Sequence, residues 1–175
     1  MKKILSLLGT ITLIGTSTTS LIACNNKPKI HEYTKKQLTK LKEENNINTK
    51  DGILEWIVPQ EKPFNQVDNK WYFAIWKPND SIYWKISKFK HDTNNGKKID
   101  GWDPLKPYYI DLFLWVFETK EQDLLIDDQS ESKLERIFWN QDKGQNFKAV
   151  YRWNLEDTNL PNLIIDKNGN IKVNT

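Results

Sequence analysis

Hydrophobic positions along this 175-residue chain fall into three successive regimes, each with its own period. The first is a largely apolar stretch from Ile4 to Gly15, closed by a row of hydroxyl residues from Thr16 to Ser20. The second is brief. Thr34 and Gln37 are spaced as a capping box, Tyr33 and Leu38 as a hydrophobic staple, and Leu38 with Leu41 makes a narrow apolar stripe. This predicts a helix over 35–44. Lys35 and Lys36 open it and Glu43 and Glu44 close it, against the helix macrodipole, so packing must hold it.

The third regime is strand-like and fills the remainder. Short apolar runs over 53–58 and 71–76 lead to 82–89, where Ile82, Trp84 and Ile86 alternate with Tyr83, Lys85 and Ser87 as on a half-buried antiparallel strand. The turn over 77–81 carries Pro78, which presets φ. Residues 108–117 are apolar on both faces apart from Asp111, which predicts a central strand. Residues 134–139 and 147–153 flank a hairpin-sized loop with Gly144. Residues 163–165 and 171–173 enclose Asn168-Gly169, a strong hairpin signal. Two longer connections, 91–107 and 118–133, read as loops. The fold expected is mainly β, an antiparallel meander built as a curved sheet, a sandwich or a small barrel and preceded by one short helix. It would occupy 34–175 as one domain, behind a leader over 1–23 and a polar tether over 24–33.

Composition narrows the chemistry. A hydrophobic fraction of 38% with 28% charged residues excludes a polytopic membrane protein. Removing Lys2 and Lys3 with the leader takes the basic side chains from 26 to 24, against 23 acidic ones. That balance, with Arg136 and Arg152 as the only arginines, argues against nucleic acid as a partner. His31 and His91 stand in unrelated contexts, so no metal site, His-based triad or cofactor is expected. Asp166 to Asn170 lacks the spacing of a calcium loop. The acids Glu118, Glu121, Asp123, Asp127, Asp128 and Glu131 read as a solvated loop or edge segment, with cation binding left open.

The N-terminus reads as an address. A positive start, an apolar stretch too short for a comfortable membrane span, and Leu21-Ile22-Ala23-Cys24 together form the lipobox pattern of bacterial lipoproteins. Cleavage between Ala23 and Cys24 would leave Cys24 as the first residue, its thiol carrying a diacylglyceryl group with palmitate-type chains. Cys24 is the only Cys, so that modification leaves no thiol for a disulfide or a nucleophile. The leader resembles those of mollicute lipoproteins, spiroplasmas above all. Leu54-Glu55-Trp56, Pro59 to Phe64, Tyr151 to Leu155 and Asn162 to Asp166 are similar to a group of small spiroplasma lipoproteins of unassigned activity. That resemblance implies attachment to the outer face of the cell membrane and carries no catalytic residue with it.

The expectation is therefore a lipid-anchored cell-surface binding module rather than an enzyme. An extracellular hydrolase using carboxylates and an accessory solute-binding lipoprotein are the alternatives. Most Trp residues fall in strand patterns and read as core, whereas Trp102 stands in a polar loop. Trp102 and Tyr108 as ring faces, with Asp100 and Asp103 as hydrogen-bond acceptors, are the candidate ligand site for a host-surface glycan or protein. The rival reading makes Trp102 a plug for one end of the sheet.

Overall fold

A computed structural model describes residues 32–79, 81–102, 109–130, 134–156 and 159–174. Helix α1 (Lys35–Asn45) is followed by eleven strands: β1 (Ile47–Asn48), β2 (Ile53–Ile57), β3 (Trp71–Trp76), β4 (Lys85–Lys90), β5 (Lys97–Gly101), β6 (Ile110–Val116), β7 (Gln122–Asp128), β8 (Glu135–Phe138), β9 (Phe147–Trp153), β10 (Leu163–Ile165) and β11 (Ile171–Val173). The capping box forms as the sequence predicts. Gln37 N–H donates to the Thr34 hydroxyl, and Thr34 N–H donates to the Gln37 side chain. No helix among the described residues is long and apolar enough to cross a membrane.

The strands form two open antiparallel sheets, ordered β1-β2-β9-β3-β4 and β5-β6-β7-β8, and a separate β10-β11 hairpin. Alternation along each strand decides which face is buried. On β3, Tyr72, Ala74 and Trp76 meet Leu112, Leu114, Leu124 and Ile126 of the four-stranded sheet, so the sheets face one another across a common core. Phe73 and Ile75 point the other way, joining Leu54 and Trp153 in a second cluster covered by Leu163, Ile165 and Ile171 of the hairpin. Among the alternatives the sequence left open, the two-sheet sandwich is the one realised.

The sandwich closes along the edges of β4 and β5. A bulge between Lys98 and Asp100 turns Asp100 toward β4, where it accepts from Lys85 Nζ at 2.8 Å and from the Ser87 hydroxyl. Ser87 Oγ in turn accepts the buried Trp76 indole N–H at 2.7 Å.

Three stretches depart from the sequence reading. The connection over 91–107 contains β5. The connection over 118–133 contains β7, a central strand between β6 and β8. Asp123, Asp127 and Asp128 are buried on it, instead of lying in solvent. The apolar triplet Leu124-Leu125-Ile126 supplies enough burial to bring the acids along, and local donors satisfy them: Arg136 for Asp127, Ser130 N–H for Asp128 and Asn140 N–H for Asp123. Finally, the strand expected from Ile82 begins at Lys85. Tyr83 N–H donates to Ser81 Oγ at 3.0 Å, a local turn that holds this segment out of the ladder and leaves Ile82 74% exposed.

The β10-β11 hairpin pairs as its Asn-Gly turn predicts, with Leu163 opposite Val173. Gly169 has φ +82°, and a Cβ there would lie 2.9 Å from the Trp84 ring. Gly169→Val adds both left-handed strain and a clash, together costing a few kcal/mol. A thermal melt should show a drop of many degrees, with Gly169→Ala intermediate; an unchanged melt would contradict this turn geometry.

Candidate functional site

The opposite side of the sandwich from the β4–β5 closure is open. A trench runs there between the end of β2, the start of β9, a single 3₁₀ turn over Pro59–Glu61 and the loop that carries the chain from β8 to β9. It has two compartments sharing Pro59, Trp139 and Asn140. The larger, about 480 Å³, is walled by Tyr33, Trp56 and Trp139 and rimmed by Gln141, Lys143 and Lys148. The smaller, about 170 Å³, is lined by Phe64, Phe117 and Gln122 together with Glu32, Lys62, Glu121 and Asp123.

Each wall is fixed by a local hydrogen-bond device. Tyr33 and Gln60 bond reciprocally, the Tyr33 N–H donating to Gln60 Oε1 at 2.7 Å and Gln60 Nε2 donating to Tyr33 O at 3.0 Å. This places the start of the described chain at the trench rim. The loop over 139–146 is organised by Asp142, whose carboxylate accepts the N–H groups of Gly144, Asn146 and Phe147. Asn146, itself buried, donates to Lys77 O and Asn79 Oδ1 and so ties the loop to the end of β3. The trench is therefore largely preformed.

Its inner end meets a buried polar chain that crosses between the sheets. Gln122 Oε1 faces His91 Nε2 at 2.9 Å, and His91 Nδ1 faces Asp68 Oδ1 at 3.5 Å. Asp68 also accepts the Tyr72 hydroxyl at 2.8 Å and lies 3.8 Å from Arg152, whose guanidinium grips Glu55 by two nitrogens. Burial pushes the Asp68 carboxyl up, but His91, the Lys70 N–H and the Tyr72 hydroxyl outweigh it and hold the group below the usual carboxylate range. Burial and the Asp68 carboxylate together push the Tyr72 phenol well up. Three buried atoms at this end, all closed to solvent, have no hydrogen-bond partner among the described residues: His91 Nδ1, Gln122 Nε2 and Asn140 Oδ1.

The sequence-derived ligand residues fare differently. Asp100 is held by Lys85 and Ser87, and these contacts outweigh burial to keep its carboxyl below the ordinary range. Trp102 packs edge-on against Trp76, ring centroids 5.4 Å apart, and its backbone N–H donates to Ile110 O. Both belong to the closed side of the sandwich, away from the trench. Asp103 and Tyr108 lie outside the described residues, as do Ala23 and Cys24. The trench residues escaped sequence reading because Trp56 and Trp139 look like ordinary strand aromatics. One signal was legible: Asn140, Gln141 and Asp142 directly follow Trp139.

Asp123 lines the inner compartment and is buried. Burial pushes its carboxyl up to about 7, against the opposing N–H groups of Asn140 and Leu124. An acid raised in the folded state favours folding most below its unfolded value, about 4, and loses that contribution as pH rises toward 7. Wild-type stability should thus fall across pH 4–7 relative to Asp123→Asn, which keeps the acceptor oxygen without the charge. Melting temperatures of the two proteins across that window test this; parallel curves would refute it.

No family model matches the chain, and no solved structure matches it. It is 28% identical over 102 residues to the uncharacterized protein ORF1 of Spiroplasma virus SpV1-R8A2 B, an alignment covering 58% of this chain and 14% of that protein. The chain thus spans about one seventh of that relative's length. The likeness agrees with a mollicute-related origin and extends to no activity.

Proposed function

We propose that this protein is a binding module displayed at the outer face of a cell membrane, anchored by a diacylglyceryl group on Cys24, with the trench as its ligand site. The observation that carries the reading is the preformed trench itself, whose larger compartment is lined by Tyr33 and Trp56 beside Asn140 and Gln141. Ring faces and amides suit a ligand rich in hydroxyl and amide groups, and a surface glycan is such a ligand. The lipobox of residues 21–24 supports the anchor. From Cys24 to Tyr33 the chain spans at most about 35 Å when fully extended, so the trench rim would stand close above the lipid.

A binding role suits the trench better than hydrolysis. Asp142 is committed to its own loop, and Glu121 pairs with Lys62 at 2.7 Å. Nucleic acid is a poor fit, since Arg152 grips Glu55 while Arg136 pairs with Asp127 and lies over the Trp115 ring.

Two experiments test the reading. Cys24→Ser should abolish detergent-phase partitioning and leave an uncleaved or released protein, whereas a wild-type N-terminus without lipid would defeat the anchor. On an immobilised glycan panel, Trp56→Leu should weaken binding about tenfold, the equivalent of about 1.4 kcal/mol, while keeping much of the apolar packing. Wild-type protein that binds no glycan, or a variant that binds as tightly, would defeat the trench.

A further inference from the structure

The four-stranded sheet has two faces, and only one of them meets the core. On β7, Leu124 and Ile126 point into the sandwich, so Leu125 points out, yet it is fully buried. The register supplies its cover, because Phe113 of β6 and Phe138 of β8 stand beside it in one row. Phe117 packs on Phe138, ring centroids 5.0 Å apart, and the Arg136 guanidinium lies over the Trp115 ring, 5.0 Å from its centre. At the far end Gln129 N–H donates to Tyr109 O, and there Tyr109 and Leu134 are exposed. Among the described residues no strand or helix lies over this aromatic face, whereas the β10-β11 hairpin covers the outer face of the other sheet.

Charge and position both point to what the face meets. The Lys98 and Arg136 side chains are 51% and 49% exposed, while their partners Asp111 and Asp127 are only 14% and 7% exposed. Cations therefore stand outermost, above buried carboxylates, with aromatic rings between them. Phosphate groups complement that layer, whereas a second copy stacked about a twofold axis would set cation against cation. The described chain begins at Glu32, which lines the same compartment as Phe117. An extended chain from Cys24 to Glu32 spans at most about 29 Å. That matches the length of the face from Tyr109 to Phe117, about 27 Å for an extended strand.

We infer that the outer face of the four-stranded sheet rests on the headgroups of the lipid bilayer. This rests on the diacylglyceryl anchor proposed above and adds the orientation that the anchor alone leaves free. Trp115 and Tyr109 suit the headgroup level, where an apolar ring body meets a polar edge. Lys98 and Arg136 reach the phosphates while their carboxylate partners stay beneath. The lipid sets the distance and the aromatic face sets the tilt. The trench, which runs along an edge of the sandwich, then opens sideways over the membrane surface.

The test is fluorescence quenching in vesicles. Wild-type protein isolated from membranes is reconstituted into phosphatidylcholine–phosphatidylglycerol vesicles whose acyl chains carry bromine, which quenches nearby indoles. Trp115→Phe should remove at least half of the quenching seen in the wild type. Trp71→Phe, a change in the second cluster on the other sheet, should leave it intact. Tyr109→Asp combined with Leu134→Asp alters only exposed side chains, so the fold survives, and it should reduce the quenching at least twofold. Vesicle-bound protein whose quenching is unchanged by Trp115→Phe would overturn the docked face and leave the anchor standing. Wild type that does not stay with the vesicles overturns anchor and docked face together. Trp115 emission that follows protein concentration and ignores bromine would assign the face to a second copy, which also overturns it.

Discussion

The architecture depends on how the Trp76 indole is accommodated between two sheets. Its ring is fully buried, contributing one of the largest apolar surfaces in the core, yet it carries an N–H that cannot be left unpaired there. Ser87, its neighbour across β4, accepts that hydrogen, and Ser87 donates to Asp100 from the opposite sheet. A side chain that joins the sheets by apolar contact thus also fixes their relation by hydrogen bonding. Lys85 completes the set by neutralising Asp100. Closing the sandwich on this side leaves the other side to be spanned by a loop, and that is where the trench lies.

The same constraint accounts for the contrast between Asp100 and Asp123. Both are aspartates whose carboxyls burial would push up. Asp100 has a lysine and a hydroxyl and stays low. Asp123 has only backbone N–H groups, too little to offset its burial, and rises to about 7. One carboxylate holds sheets together; the other gives the trench floor a charge that depends on pH near neutrality.

Much of the fold was legible in the sequence because strand alternation and turn residues act locally. The β9 run, the β3 run, the Thr34–Gln37 cap and the Asn168-Gly169 hairpin all appear where pattern places them. β7 did not, because Asp123, Asp127 and Asp128 look solvated until Arg136 and the 139–146 loop are brought beside them by tertiary structure. The site was less legible still. Trp102 stands out in sequence by its polar neighbours, but its ring packs on Trp76, a contact that depends on β3 and β5 meeting across the sandwich. Trp56 and Trp139 read as core and do pack there, Trp139 buried between the sheets and Trp56 half-buried on the second cluster; only the path of the chain between β8 and β9 brings their edges to an opening.

We propose that ligand enters the trench and not the Asp100–Trp102 side. The indole N–H resonances of the full chain, recorded with and without a glycan captured from the panel, test this directly because the eight tryptophans sample every part of the fold. Ligand in the trench should shift Trp56 and Trp139, with Trp76, Trp102 and Trp153 unmoved. Shifts centred on Trp102, with Trp56 and Trp139 silent, would contradict it.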